Sequence, residues 1–397
     1  MAEAFRRSIK GDRVIWVVVV MLFLFSILAV LSSFSKPSGA AMFSTLLKQS
    51  AIIMFGLLVM YIFHNLPISI YRKVAVIGIV ISVILLLYMF AFGVTINGAR
   101  RWIRIFGMTF QPADVAKVAI VLYLAKVFEE GNLDSYKKVF QKIVVPVGII
   151  CTLILFADAS TTLLIGSVCL CIMFIGGIKK RYIVYTIGIA AGLLLNIYAL
   201  ERSGVLPESR ISEAISRFNI FLLSEDEEAK KPNDVYQETQ AKIAIASGGI
   251  VGKGPGNSTQ RYFLPYAHAD YIYAIIVEEY GLFGGIIILM SYLWLLYRAI
   301  IISRKCSRIF PIVLVLGLSL VIVFQAIMHM GVSVGMFPVT GQTLPFVSHG
   351  GSSILFMSIA LGITLAVSRT ADNQELSLIG VEQDGDDTNV QPQKLKA

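Results

Sequence analysis

Charge is what this sequence has least of. Only 15% of its 397 residues are Asp, Glu, Lys or Arg, against about 25% in an ordinary soluble domain. The 60 residues from Ile309 to Ser368 carry none. A soluble fold must hydrate its surface and cannot go uncharged over such a length, so a soluble enzyme and a DNA-binding domain are excluded. Cysteine is scarce as well. Cys151, Cys169 and Cys171 lie in apolar stretches and Cys306 in a basic loop, with no C-x-x-C spacing. A disulfide scaffold and a redox pair are excluded, which leaves free packing thiols. No G-x-x-x-x-G-K-[ST] pattern is present, so nothing supports a nucleotide P-loop.

Apolar runs fill the place of charge. Val14–Ser35, Gln49–Tyr71, Val74–Ala99 and Ala159–Ile178 are uncharged and long enough to cross a bilayer. The fold class is an all-α polytopic membrane protein. Ten spans are expected, at 14–34, 44–64, 73–93, 112–128, 143–158, 160–178, 182–200, 271–297, 309–333 and 350–368. The fifth is short and the eighth contains Glu278 and Glu279. The first lacks a small-residue cleavage site after a short core and reads as a retained span. The net charge of +9 points to basic loops facing anionic lipid, with no nucleic-acid partner.

Lysine and arginine orient the spans. Arg6, Arg7, Lys10 and Arg13, then Arg72 and Lys73, Lys137, Lys138 and Lys142, Lys179 to Arg181, and Arg304, Lys305 and Arg308 fall on one side. Short basic loops stay in the cytoplasm, so both termini are expected inside. Residues 1–13 form a cytoplasmic N-terminus, 14–368 the membrane domain and 369–397 a polar tail expected to be disordered. The connection Glu201–Asp270 is a large extracytoplasmic loop between spans seven and eight. Within it, Ile211, Ile215, Phe218 and Leu222 share one helical face and predict an interfacial helix over 210–223. Residues 224–233 are the expected flexible stretch.

Three polar groups stand out. The first is the glycine-rich loop from Gly248 to Ser258, followed by Asp270 where span eight begins. Its glycines permit close backbone approach and expose amides suited to phosphate oxygens. Asp270 is either a helix N-cap or a functional acid. The second group carries Arg100, Arg101, Trp102 and Arg104, then Pro112, Asp114 and Lys117. Read as a helix, it sets Arg100 and Arg104 one turn apart, able to grip one polyanion; the alternative is an aromatic-and-basic interface anchor. Pro112 marks a helix start. Lys117 and Asp158 lie at membrane depth, where charges are paired or functional: a structural Lys117–Asp158 ion pair and a ligand role for Lys117 both stand. The third group, Pro338 to Ser353, interrupts the uncharged run with prolines and glycines. Irregular backbone there lines a cavity or is buried in protein. His349 reads as a structural hydrogen-bonding residue, and His64 and His329 as span-end or buried residues with no role assigned.

These groups, in this order, resemble the SEDS family of FtsW, RodA and SpoVE. The matching segments are GARRW (98–102), QPADVAK (111–117), DASTT (158–162), GNSTQRYFLPYAHADYIYA (256–274) and PVTGQTLPFVSHGGSS (338–353). The GNSTQ wording and the loop before it look more like the FtsW branch. Ala157 and Ser160 stand where the family motif has proline and glycine, Asp114 where it has glutamate, and His349 where it has tyrosine. The resemblance implies a peptidoglycan glycosyltransferase that polymerises lipid II at the outer face of the bacterial cytoplasmic (inner) membrane, in cell division. It implies a class B penicillin-binding protein and other divisome proteins as partners, with membrane lipid around it. The family's essential aspartate aligns with Asp270, as general base in an inverting single displacement. Arg100, Arg101 and Arg104, with Lys117 behind them, are candidates for the diphosphate, alone or with a divalent cation (Mg or Mn); no protein-held metal site is expected. Asn257, Ser258, Gln260, His268, Thr340, Ser348 and Ser352 are further candidate substrate-binding residues. The rival readings are a lipid II flippase, a RodA-like role in elongation, and a scaffold for the transpeptidase. Against a transporter, whose polar groups belong at the midplane, these motifs crowd the outer boundary.

Overall fold

A computed structural model describes residues 11–33, 39–96, 99–105, 108–203, 232–264 and 269–386. Apolar helices dominate these. They are α1 (Arg13–Ser33), α2 (Gly39–Asn65), α3 (Ile68–Phe92), α4 (Pro112–Glu130), α5 (Tyr136–Leu155) and α6 (Ala159–Ile175). After them come α7 (Lys180–Arg202), α8 (Pro232–Gly248), α9 (Ile272–Arg304), α10 (Ile309–Ser333) and α11 (Gly351–Asp386). By length and composition eight could cross a membrane: α1, α2, α3, α5, α7, α9, α10 and α11. The protein is a multi-pass membrane protein. Expected spans four and six correspond to α4, which carries Asp114, Lys117 and Lys126, and to the 17-residue α6.

Helices α10 and α11 sit at the centre, most of an 18-residue apolar stretch in each enclosed by the others. Close approach is bought with small residues, since helices in lipid gain from packing rather than from the hydrophobic effect. A Cβ at Gly317 would meet Val121 and Ile172, and one at Gly362 would meet Phe63 and the Met60 carbonyl. Outward faces carry Val17, Leu24, Met54, Ile77 and Leu195, all exposed, as a surface meeting lipid tails does.

The fifth span is longer than expected, because it begins at Tyr136. Pro146 explains its irregular start. Proline donates no N–H to the carbonyl four residues back and its ring crowds that carbonyl. The helix widens into a π turn over Phe140–Val144, and the Lys142 carbonyl accepts the Tyr123 hydroxyl instead, at 2.8 Å. The last helix continues past Arg369, where disorder was expected, to Asp386. The amphipathic segment 210–223 and residues 224–231 lie outside the described residues. Pro232 and Asn233, assigned to the flexible stretch, instead open α8.

Candidate active site

The arginine group is not helical. Residues 94–110 form a three-stranded antiparallel meander, β1 (Val94–Ile96), β2 (Ala99–Ile105) and β3 (Met108–Phe110). This overturns the helical spacing of Arg100 and Arg104. Pairing slips between Thr95↔Arg100 and Val94↔Trp102, which leaves Arg101 as the extra residue of β2. Such bulges re-aim a side chain. Arg101 turns inward: its Nε donates to the Ala157 carbonyl at 3.1 Å and its Nη1 to Asp158 Oδ2 at 3.3 Å. Arg100 and Arg104 remain exposed, with Arg100 donating to the Phe90 carbonyl.

Asp158, 3% exposed, caps α6 through Oδ1, which accepts from the Ser160 and Thr161 amides. Its Oδ2 accepts from Arg101, from the Thr161 hydroxyl at 2.8 Å and from Gln342 Nε2 at 3.1 Å. The expected Lys117–Asp158 ion pair is therefore not formed. Lys117 bonds Asp114 one turn earlier on α4, at 2.9 Å, and Gln325 Oε1 at 2.8 Å. A buried ammonium takes the carboxylate its own helix supplies at i−3. Asp158 is turned toward the loops by its capping duty.

Asp270 lies in the turn before α9 and does not cap it. The N-cap position is Tyr271, which makes no side-chain capping bond. Asp270 lines a cavity of about 20 Å3 together with Gln237 of α8, Tyr271, His329 of α10, and the loop residues Thr340, Gly341 and Gln342. Withdrawal from water pushes the carboxyl up to about 6, and the positive charge of Arg101 partly opposes that rise. The backbone beside it is pinned, because Ser348 Oγ donates to the Ala269 carbonyl at 2.8 Å and accepts from the Leu344 amide. That irregular segment is itself buried. Phe346, at φ 64°, stacks edge-on against Phe23, and Ser26 holds the Val347 carbonyl. A non-glycine residue at positive φ is held there by its surroundings. His349 Nδ1 meets Gln49 Oε1 at 2.6 Å, the structural bond expected of it.

The glycine-rich loop packs against a helix. Helix α9 breaks at Gly281 (φ 67°), and the loop packs its backbone into the break. The Lys253 and Gly254 amides donate to the Glu278 and Glu279 carbonyls, and the Leu282 amide to the Gly249 carbonyl. Glu278 accepts from Lys253 Nζ and the Ser258 hydroxyl, both at 2.5 Å, from the Thr259 amide and hydroxyl, and from the Gln260 amide. Ser258 and the Gln260 amide are thus occupied inside the protein. The Asn257 side chain is exposed and bonds the Lys253 carbonyl. His268 lies outside the described residues. Thr340 lines the cavity, and Ser352 is buried in the first turn of α11.

A family model described as Cell cycle protein, for FtsW, RodA and SpoVE, matches residues 12–373. The chain belongs to the FtsW/RodA/SpoVE family. It is 34% identical over 369 residues to a Haemophilus influenzae protein named probable peptidoglycan glycosyltransferase FtsW, covering 90% of each chain. Identity to the Bacillus subtilis protein of that name is 33% over 297 residues, 73% of this chain and 72% of the other. Among solved structures, Thermus thermophilus Rod shape determining protein RodA matches with a TM-score of 0.63 at 24% identity, covering 90% of this chain and 97% of that one. A chain from a peptidoglycan synthase complex, reported for structural coordination of polymerization and crosslinking, matches with a TM-score of 0.72 at 24% identity, over 91% and 98%.

The departures of this FtsW/RodA/SpoVE member from the motifs leave the site's bonds in place. Arg101 uses the main-chain carbonyl of Ala157, which proline would equally offer. Asp158 uses the Ser160 amide, which glycine also has. Asp114 is long enough to reach Lys117. His329 was passed over as a buried residue, yet it faces the cavity beside Asp270. Nothing in its spacing separates it from a core histidine.

Proposed function

We propose that this chain polymerises lipid II into glycan strands at the outer face of the cytoplasmic membrane, with Asp270 as general base. It is a glycosyltransferase, as its curated FtsW relatives are named. The observation that carries the catalytic reading is one partly buried carboxylate, raised to about 6, in the cavity between α8, the turn before α9, α10 and residues 339–342, beside Arg101. A base works best with a pKa near the operating pH.

In the reaction a sugar hydroxyl of one lipid-linked molecule attacks the anomeric carbon of another. The new C–O bond forms as the bond to the polyprenyl diphosphate breaks, and the hydroxyl proton goes to Asp270. An α-linked donor yielding a β-linked product is a single inversion, for which one essential carboxylate suffices. Arg100 and Arg104, exposed along β2, offer cations to the departing diphosphate, and Arg101 holds the cationic edge next to Asp270. Lys117, enclosed with Asp114 and Gln325, supports the core and does not reach substrate. Among the described residues no three His, Cys, Asp or Glu side chains could hold a metal. A Mg or Mn ion would arrive with the diphosphate. Both termini in the cytoplasm, a class B penicillin-binding protein and other divisome proteins as partners, and a place at the septum belong to the same proposal.

Asp270→Asn tests it. The change keeps size and removes the proton acceptor. Purified with its transpeptidase partner, the variant should fold and bind, while lipid II polymerisation falls by about 100-fold or more. Wild-type polymerisation would refute the assignment, and lipid translocation without polymerisation in the wild type would favour a transporter.

A further inference from the structure

We propose that the cavity beside Asp270 holds one ordered water, anchored by His329, that orients the Asp270 carboxylate. The inference rests on the reading of Asp270 as the base.

His329 Nδ1 lies 2.7 Å from the Gln342 carbonyl oxygen. A carbonyl only accepts, so Nδ1 carries the proton. Among the described residues no carboxylate is bonded to it; a buried charge without a partner is costly, so the enclosed ring is neutral and Nε2 presents a lone pair. The residue is 1% exposed, and Nε2 is buried with no hydrogen-bond partner among the described residues. Two acceptors therefore line one cavity, Nε2 and the Asp270 carboxylate. A sugar hydroxyl has one proton and satisfies one of them. Water has two and satisfies both. The volume of about 20 Å3 exceeds the ~10–15 Å3 one water needs and is too small for a sugar ring. A buried water also makes about three hydrogen bonds, and Thr340 or Gln237 can supply the third by donating to its oxygen. Held in this way, the water fixes the carboxylate's rotation and leaves its other oxygen for the attacking hydroxyl. His329 is a positioning residue.

Among the described residues, the charged and titratable groups around Asp270 are Arg101 from β2, Asp158 at the start of α6, His329 from α10 and the neighbouring Tyr271. From α8 only the neutral Gln237 lines the cavity. Hydrogen bonds donated to a carboxylate favour its charged form, so losing the water raises the Asp270 pKa.

Two substitutions separate positioning from simple structure. The amide nitrogen of asparagine sits near the imidazole Nδ1, so His329→Asn keeps the bond to Gln342 and loses the outer acceptor. His329→Gln offers an acceptor near Nε2 and gives up the Nδ1 donor. The full chain with its partner is assayed for lipid II polymerisation from mildly acidic to neutral pH. In His329→Asn the acid limb of kcat should move up by about one pH unit, with kcat down about tenfold at neutral pH and KM near wild type. His329→Gln should keep the wild-type limb. The reverse pattern, a wild-type profile for His329→Asn and a damaged enzyme for His329→Gln, overturns the proposal in favour of a purely structural histidine. Should His329→Asn fail to fold, the limb of His329→Gln decides: unmoved supports the water, shifted upward overturns it. Inactive Asp270→Asn with an unshifted His329→Asn defeats only this inference, whereas active Asp270→Asn defeats the reading beneath it.

Discussion

Asp158 is surrounded only by donors, and that sets what an isosteric change must cost. Five groups point at its two oxygens: two amides at Oδ1, and Arg101, Thr161 and Gln342 at Oδ2. Asp158→Asn preserves shape and is normally as good a cap. Here, whichever way the amide turns, its NH2 faces donors. The bond to Arg101 loses its charge, and at least one further donor is stranded where only 3% of the side chain meets solvent. Breaking a buried pair costs about 3–5 kcal/mol; Arg101, 22% exposed, keeps the expectation at the lower end, about 3 kcal/mol. A double-mutant cycle makes the claim specific. Unfolding of the detergent-solubilised chain should give a coupling of about 2 kcal/mol between Asp158→Asn and Arg101→Gln. Lys117→Met should couple as strongly with Asp114→Asn. Lys117 and Asp158 share no hydrogen-bonding partner, so Lys117→Met and Asp158→Asn should add within about 0.5 kcal/mol. Coupling above about 1 kcal/mol in that third cycle, or none in the first, would refute the assignment of partners.

Other consequences can be measured directly. The Arg101 charge opposes the rise in the Asp270 pKa; Arg101→Gln removes that opposition, so the carboxylate takes its proton at higher pH and the acid limb of polymerisation moves upward from about 6, whereas an unmoved or lowered limb would detach Arg101 from the base. Gly281→Ala puts a Cβ into the Ile250 carbonyl at a positive φ, while Gly256→Ala meets open space; melting should show the first losing at least about 3 kcal/mol and the second about 1, and equal losses would mean the loop does not pack into the break. In a background without the native cysteines, a thiol introduced in 224–231 should label from outside spheroplasts and one at Lys305 should not; the reverse would invert the orientation and remove the extracytoplasmic mechanism.

What was legible in the sequence follows from what each signal depends on. Span positions rest on apolar length alone, and helices stand at all the expected places, eight of them long and apolar enough to cross a membrane; the helix start at Pro112 is where the sequence puts it. The fifth span reads as short because Lys137, Lys138 and Lys142 look like loop; the helix carries them at its first turns, before a proline whose π turn no periodicity reveals. Partner choice was less readable. Lys117 has Asp114 at i−3 on its own helix, while membrane depth alone equally suggests the more distant Asp158, whose N-cap role better predicts its bonds. The meander at 94–110 was missed although Val94–Ile96 and Trp102–Ile105 are β-branched or aromatic at nearly every position, because two arginines four apart also fit a helix. Helix α8 left clear punctuation, Pro232 at its start and Gly248-Gly249 at its end, inside a stretch read as loop.

The glycines from Gly248 to Gly256 show why a motif's composition and its purpose separate. Glycine allows backbone to approach a phosphate, and it equally allows backbone to approach backbone. Cβ atoms at Gly248 and Gly252 would run into the Val277 and Glu279 carbonyls, so the close partner at these two positions is α9 itself. Once α9 breaks at Gly281, it leaves main-chain groups that water cannot satisfy at membrane depth, and the loop's amides and carbonyls take them up. The carboxylates of Glu278 and Glu279 then draw the following Ser258 to Gln260 inward. Asp270 stands between this clamp and the first turn of α9, with its other side pinned by Ser348. If Asp270 is the base proposed above, a flexible loop would serve it badly, since misplacement by an ångström costs about 100-fold in rate. The two long motifs therefore share one task. Residues 248–260 fix the helix that Asp270 leads into, and residues 339–342 of the second motif line the cavity that it faces.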